Sequence, residues 1–238
     1  MSEISSLENR IVLVTGAGSG IGKAVSRAAS LAGATVVLCG RTQKALEQTY
    51  DEIIALGGVE PLIAPLNLET CGYAEIKAIA DAIETSFGRL DGLVINAAQL
   101  GEHTPIKLAS PQKFAKTIHI NFNSHFLLLH TLLPLIEASE APVCLLTGDE
   151  ASTGRAFGGA YGIAKASQTS LFAMLHEEMG DDIRVHRVEP GPTSTSLRLQ
   201  TFPGEETSNL ASADSIARLY IGALDVNCQL QRGSVIRR

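Results

Sequence analysis

Thr15-Gly16-Ala17-Gly18-Ser19-Gly20-Ile21-Gly22 is the stretch on which the reading of this chain turns. The apolar run Ile11 to Val14 leads into it, and a segment of helical periodicity from about Ile21 to Leu31 leads out. Strand, glycine turn and helix in that order let a backbone bend tightly and approach a pyrophosphate closely. The helix start then offers the anion free N–H groups and a favourable dipole. A glycine-rich turn by itself says little, since any tight strand-to-helix connection can use glycine. Its context gives it weight.

Outward from the turn, strand-length apolar runs alternate with helical segments. Thr35 to Cys39 precedes a helical stretch from about Thr42 to Leu56, and Leu62 to Ala64 precedes a helix over Glu75 to Phe87. In that helix Ile76, Ile79, Ala80 and Ile83 share a face. Leu93 to Asn96, Val143 to Leu146 and Arg184 to Val188 continue the series, separated by long helices from about Phe114 to Ile136 and Tyr161 to Met179. Short strands apolar on both faces, each followed by a helix, predict a doubly wound parallel sheet with helices on both faces. Six strands are clear and a seventh falls around Ser234 to Ile236. We expect one Rossmann-type α/β domain over residues 1–238. Its irregular stretch, 194–211, reads as a substrate loop or lid.

Bulk properties agree with a packed globule. Of the 238 residues, 45% are hydrophobic and 18% charged, with a formal net charge of −6, which argues against a broad nucleic-acid surface. Cys39, Cys71, Cys144 and Cys228 lie far apart without zinc spacing, so reduced thiols and no metal site are expected. The opening MSEISSLENR lacks a signal-peptide pattern, and no window is apolar enough for a membrane span. The expectation is a soluble cytoplasmic protein with no nucleic-acid or membrane partner.

Further motifs follow in order. They are Asp91-Gly92-Leu93-Val94-Ile95-Asn96-Ala97-Ala98, Asn121 in a long helix, Tyr161-Gly162-Ile163-Ala164-Lys165, and Pro190-Gly191 with Thr195 beyond. Taken with the glycine turn, the chain over roughly residues 10–196 resembles the short-chain dehydrogenases/reductases, nearest to small bacterial reductases of undefined substrate. The resemblance implies an oxidoreductase passing hydride between a nicotinamide dinucleotide and a small carbonyl or alcohol. It implies Gly16, Ser19, Gly20, Ile21 and Gly22 around the pyrophosphate, Asn67 and Leu68 beside the adenine, and Asn96, Lys165, Pro190, Gly191 and Thr195 toward the nicotinamide half. It also implies a homodimer or homotetramer built on the Asn121 and Tyr161 helices.

The end of the second strand bears on which dinucleotide. An acidic residue there bonds both ribose hydroxyls, whereas a basic one accommodates a 2′-phosphate. Here Gly40 stands where NAD-preferring relatives carry Asp, and Arg41 follows with a fork suited to phosphate. NADP is expected over NAD, with NAD still possible.

Tyr161 and Lys165 are four apart and share a helix face. A phenol titrates near 10 and exchanges protons poorly at neutral pH unless a cation favours the phenolate. The resemblance makes Tyr161 the acid/base, Lys165 its electrostatic partner and Asn121 their support. The family's serine, 13 residues before the tyrosine, is replaced by Gly148. Removing one oriented donor costs about 10²–10³ in rate, so two readings stand: an enzyme, or a weakly active or inactive NADP-binding protein acting as sensor or assembly partner. Thr147 should face the opposite way on its strand, Ser152 is near enough to fold back, and Asp149 would oppose a developing alkoxide. Glu189 replaces a frequent Asn. His119, His125 and His130 have spacings that do not stack on one helical face, so no metal is expected there.

Overall fold

Side chains along strand β1 (Ile11–Thr15) divide the interior in two. Ile11 and Leu13 enter one apolar cluster, Val12 and Val14 the other, and all are buried. The computed structural model describes residues 6–238; the first five residues of the MSEISSLENR stretch lie outside them. Around β1 run β2 (Thr35–Gly40), β3 (Leu62–Pro65), β4 (Gly92–Ile95), β5 (Val143–Thr147), β6 (Arg184–Glu189) and β7 (Val235–Arg237). They pair in parallel in the order β3-β2-β1-β4-β5-β6-β7. The doubly wound parallel sheet read from the alternation is therefore present, with all seven strands.

Helices α1 (Gly20–Leu31), α2 (Gln43–Ala55) and α8 (Ala213–Leu224) cover the face that Val12 and Val14 enter. Helices α3 (Tyr73–Phe87), α5 (Ser124–Glu137) and α6 (Gly159–Met179) cover the other. Burying both faces explains why the strands read as continuous apolar runs. Strand order reverses between β1 and β4, which opens a crevice at the strands' carboxyl ends, where open α/β sheets take their ligands. Among the described residues no helix is long and apolar enough to cross a membrane, and no group of three or more His, Cys, Asp or Glu is placed to hold a metal ion.

Two expectations need correction. The helix expected over Phe114 to Ile136 is α4 (Pro111–Ile118) and α5 joined by a π-helical turn, His119–Asn123, with Asn121 buried inside it. Such a turn inserts one residue and rotates the stripe that follows by about 100°, but α5 is apolar at most of its positions and hides the shift. The 194–211 stretch is not featureless: it contains α7 (Ser196–Thr201) and a short 3₁₀ turn at Thr207–Asn209. A bridge between Thr193 and Ala211 closes its base.

Candidate active site

A cleft of about 1560 Å³ runs along the carboxyl ends of the strands, larger than the roughly 300–1,000 Å³ of a drug-sized site. Gly16 and Gly20 take positive φ, +71° and +52°. A Cβ on Gly22 would overlap the Gly16 carbonyl and lie 2.6 Å from Asn96 Nδ2. The turn is thus as tight as glycine alone permits. Ser19 caps α1 without a side-chain bond, so the first-turn N–H groups are not taken by a capping oxygen. An uncapped helix start beneath a glycine cradle fits a pyrophosphate.

Thr15 joins the two sides of the crevice. Its hydroxyl donates to the Val94 carbonyl at 3.2 Å and accepts from the N–H groups of Asn96 at 2.9 Å and Ala97 at 3.0 Å. Asn96 Nδ2 donates back to the Thr15 carbonyl at 3.0 Å. Arg41 stands exposed at the cleft edge, with no ion pair among the described residues. Asn67 and Leu68 line the same cleft, and the Asn67 side chain accepts from the Glu69 N–H at 3.1 Å. Opposite them come Pro190, Gly191 and Thr195. Thr195 caps α7 by accepting from the Arg198 N–H, and its Cγ2 lies 3.3 Å from where a Gly20 Cβ would be. All the residues expected to hold the dinucleotide therefore line this one cleft, apart from Gly22, which is packed beneath the turn.

Tyr161 and Lys165 project from α6 into the cleft, each 4% exposed. Lys165 Nζ donates to the Thr147 carbonyl at 2.7 Å and stands 5.8 Å from the Tyr161 ring centre. Burial lowers its pKa to about 8, with Asp149 and Glu189 opposing the shift. The Tyr161 hydroxyl donates to Asp149 Oδ2 at 3.0 Å. Burial first, then the Asp149 charge and that hydrogen bond, push its pKa well above an ordinary phenol. Tyr161 is accordingly a protonated donor in this arrangement. Asn121 uses its side chain elsewhere: Oδ1 accepts from the Gln99 N–H, and Nδ2 donates to the Gln99 and Thr117 carbonyls. It bonds no atom of Lys165, and its own carbonyl accepts from Gln168 Nε2 at 2.6 Å.

The surroundings of Gly148 were only partly foreseen. Thr147 faces away, as strand alternation requires, its hydroxyl 2.7 Å from Tyr220 on the far side of the sheet. Register places Thr147 beside Val188, so Gly148 lies beside Glu189. A Cβ on Gly148 would come 2.6 Å from Glu189 Cδ, and closer still to its Oε1. Glu189 Oε2 accepts from the Glu150 N–H at 3.0 Å, and Oε1 stands 2.9 Å from Arg187 Nε without hydrogen-bond alignment, a contact of charge. Asp149 also accepts from Ser152 at 2.8 Å, on the same Oδ2 that holds Tyr161. The signal for this cluster was present in the departures at Gly148 and Glu189; their contact was not.

A glycine-cradled crevice at the reversal of a parallel sheet, with a buried tyrosine and lysine at its open end, defines a dinucleotide-binding protein of the Rossmann class. Known proteins carry the identification further. The short chain dehydrogenase family model matches residues 10–206, and the chain belongs to the short-chain dehydrogenase/reductase family of oxidoreductases. It is 34% identical over 216 residues to the uncharacterized oxidoreductase YciK of Escherichia coli K12, covering 90% of this chain and 86% of that one. A short chain dehydrogenase from Pseudomonas syringae superposes with a TM-score of 0.95 at 34% identity, over 100% of this chain and 97% of that one. One from Shigella flexneri 2a, crystallised as a complex with NADP, gives 0.94 at 32% identity over 99% of both chains.

Proposed function

We propose that the protein transfers hydride between NADP(H) and a carbonyl/alcohol substrate, with Tyr161 as acid/base and Lys165 as its electrostatic partner. The observation that carries this is the convergence of the buried Tyr161 and Lys165 on the cleft that begins at the glycine turn. The NADP in the Shigella flexneri relative and the exposed Arg41 both support NADP over NAD. Bound there, the nicotinamide supplies or accepts the hydride.

The chain's own groups divide the remaining work. Gly16, Ser19, Gly20 and Ile21 seat the pyrophosphate, with Gly22 allowing the approach. Arg41 meets the 2′-phosphate, and Asn67 and Leu68 flank the adenine. Asn96, Pro190, Gly191 and Thr195 border the nicotinamide half, where Lys165 reaches the ribose. Tyr161 hands its proton to the substrate during reduction, and Asn121 supports the site through Gln99. Exposed Phe126 on α5 and Ile163 and Met174 on α6 support a homodimer or homotetramer built on those helices.

NADPH consumption over a panel of ketones, aldehydes and quinones tests the reading. Turnover that falls at least about 10³-fold in Tyr161→Phe supports it. NADPH binding with every substrate inert in wild type would make this a cofactor-binding protein without turnover.

A further inference from the structure

The neighbourhood of the Tyr161 hydroxyl is negative where carbonyl chemistry wants donors. The reacting heteroatom of a substrate must come within hydrogen-bond reach of Tyr161. Asp149 Oδ2 already lies 3.0 Å from that hydroxyl and also holds the hydroxyl of Ser152. No ion pair engages Asp149 among the described residues. Lys165 is bonded to the Thr147 carbonyl, Arg198 forks onto Glu205, and Arg187 faces Glu189. Gly148 supplies no donor, and the carboxylate of Glu189 fills its side-chain space. Glu189 also fixes the turn that delivers Asp149, through the Glu150 N–H.

We propose that Asp149 is a specificity-determining residue, and that the site takes the C=N of a protonated imine in preference to a C=O, with the corresponding amine as product. This rests on the hydride-transfer reading above and adds an imine/amine pair to the carbonyl/alcohol pair, as the one Asp149 favours. Reducing a carbonyl builds negative charge on oxygen, and a nearby carboxylate opposes it. An iminium needs no polarising donor, because protonation has already made its carbon electrophilic. A carboxylate beside the nitrogen favours that protonated form over the neutral imine. In the reverse direction it stabilises the positive charge that develops on the amine as hydride departs.

The step balances. Hydride from reduced nicotinamide, which is thereby oxidised, adds to the iminium carbon, and the C=N π pair becomes the lone pair of a neutral amine. That amine takes its proton from water on release, and the Tyr161 hydroxyl keeps its own. Asp149 remains a carboxylate throughout.

Dihydroisoquinoline and tetralone serve as matched C=N and C=O substrates with NADPH. Tetrahydroisoquinoline and isochroman serve as a cationic ligand and its neutral isostere for calorimetry. Wild type should prefer the imine by about 100-fold in kcat/KM, the size expected of one charge-assisted partner. Asp149→Asn should lower imine kcat/KM and raise that of tetralone, because the charge that favours one substrate opposes the other, whereas a purely structural role would lower both. The ammonium should bind wild type at least about tenfold more tightly than isochroman, a comparison that needs no variant. Tetralone turnover equal to or above the imine's, or equal loss of both substrates in Asp149→Asn, would overturn the proposal and leave the oxidoreductase reading intact. Inert imine, ketone and alcohol with NADPH bound would overturn both.

Discussion

Glu189 occupies the space that any side chain on Gly148 would need. Placing the family's serine at 148 is therefore an overpacking change in a buried site, which costs about 1–3 kcal/mol. Gly148→Ser should lower thermal stability, and Gly148→Ser with Glu189→Asn should recover at least half of the loss. Thermal melts of the four proteins in the cycle measure the coupling. Additive effects would show that the two positions do not compete for one volume.

Arg41 should be worth about 10- to 100-fold in NADPH affinity, the range of a charge-assisted bond to phosphate. Arg41→Gln should show that loss by fluorescence titration and leave NADH binding within about threefold. Gly40→Asp should turn the preference toward NADH, since only the flexible end of Leu46, 3.1 Å from the new Cβ, must yield.

Lys165 gives stability a pH dependence on the alkaline side. Its folded pKa of about 8 lies below the ordinary lysine value of 10.5, because burial penalises the charge. Between those values the unfolded chain holds more protons at this lysine, so its own contribution should rise from pH 8 to about 10.5, against the falling contributions of Cys39 and Cys144, whose thiols burial pushes up to about 12. The gain is on the order of 3 kcal/mol. Urea midpoints for the cofactor-free protein, compared with those of Lys165→Met, should shift in the wild type's favour over that window.

His186 acts in acid. It is buried on β6, neither ring nitrogen has a hydrogen-bond partner among the described residues, and burial lowers its pKa to about 4. Its neutral form favours the fold at neutral pH, and that contribution is lost as pH falls from about 6.5 to 4. His186→Leu should soften the decline in urea midpoint across this window. An unchanged slope would assign acid sensitivity to other groups.

Much of this was legible in the sequence for a physical reason. Ile11 to Val14 and Val143 to Leu146 sit between two helical layers, so their unbroken apolarity announces a parallel sheet. Residues 15–22 and the Tyr161–Lys165 spacing are local and survive in one dimension. What did not survive depends on elements meeting across the chain. Gly148 and Glu189 are each visible as departures, but only β5–β6 register makes one the partner of the other. Asp149 is visible in the sequence as a charge opposed to a developing alkoxide, yet its grip on Tyr161 depends on the turn at Glu150–Ser152. The π-helical turn that buries Asn121 is masked by the many apolar positions of α5.

The bonds from Thr15 to Val94, Asn96 and Ala97 fasten β1 to β4 where the sheet divides. The foundation of the crevice is thus stitched shut, while the segment from Pro190 to Phe202 supplies much of its lining from the end of β6. Innovation in such a scaffold has an address: sequence can drift along that lining and recruit new molecules while the stitched foundation stays as it is.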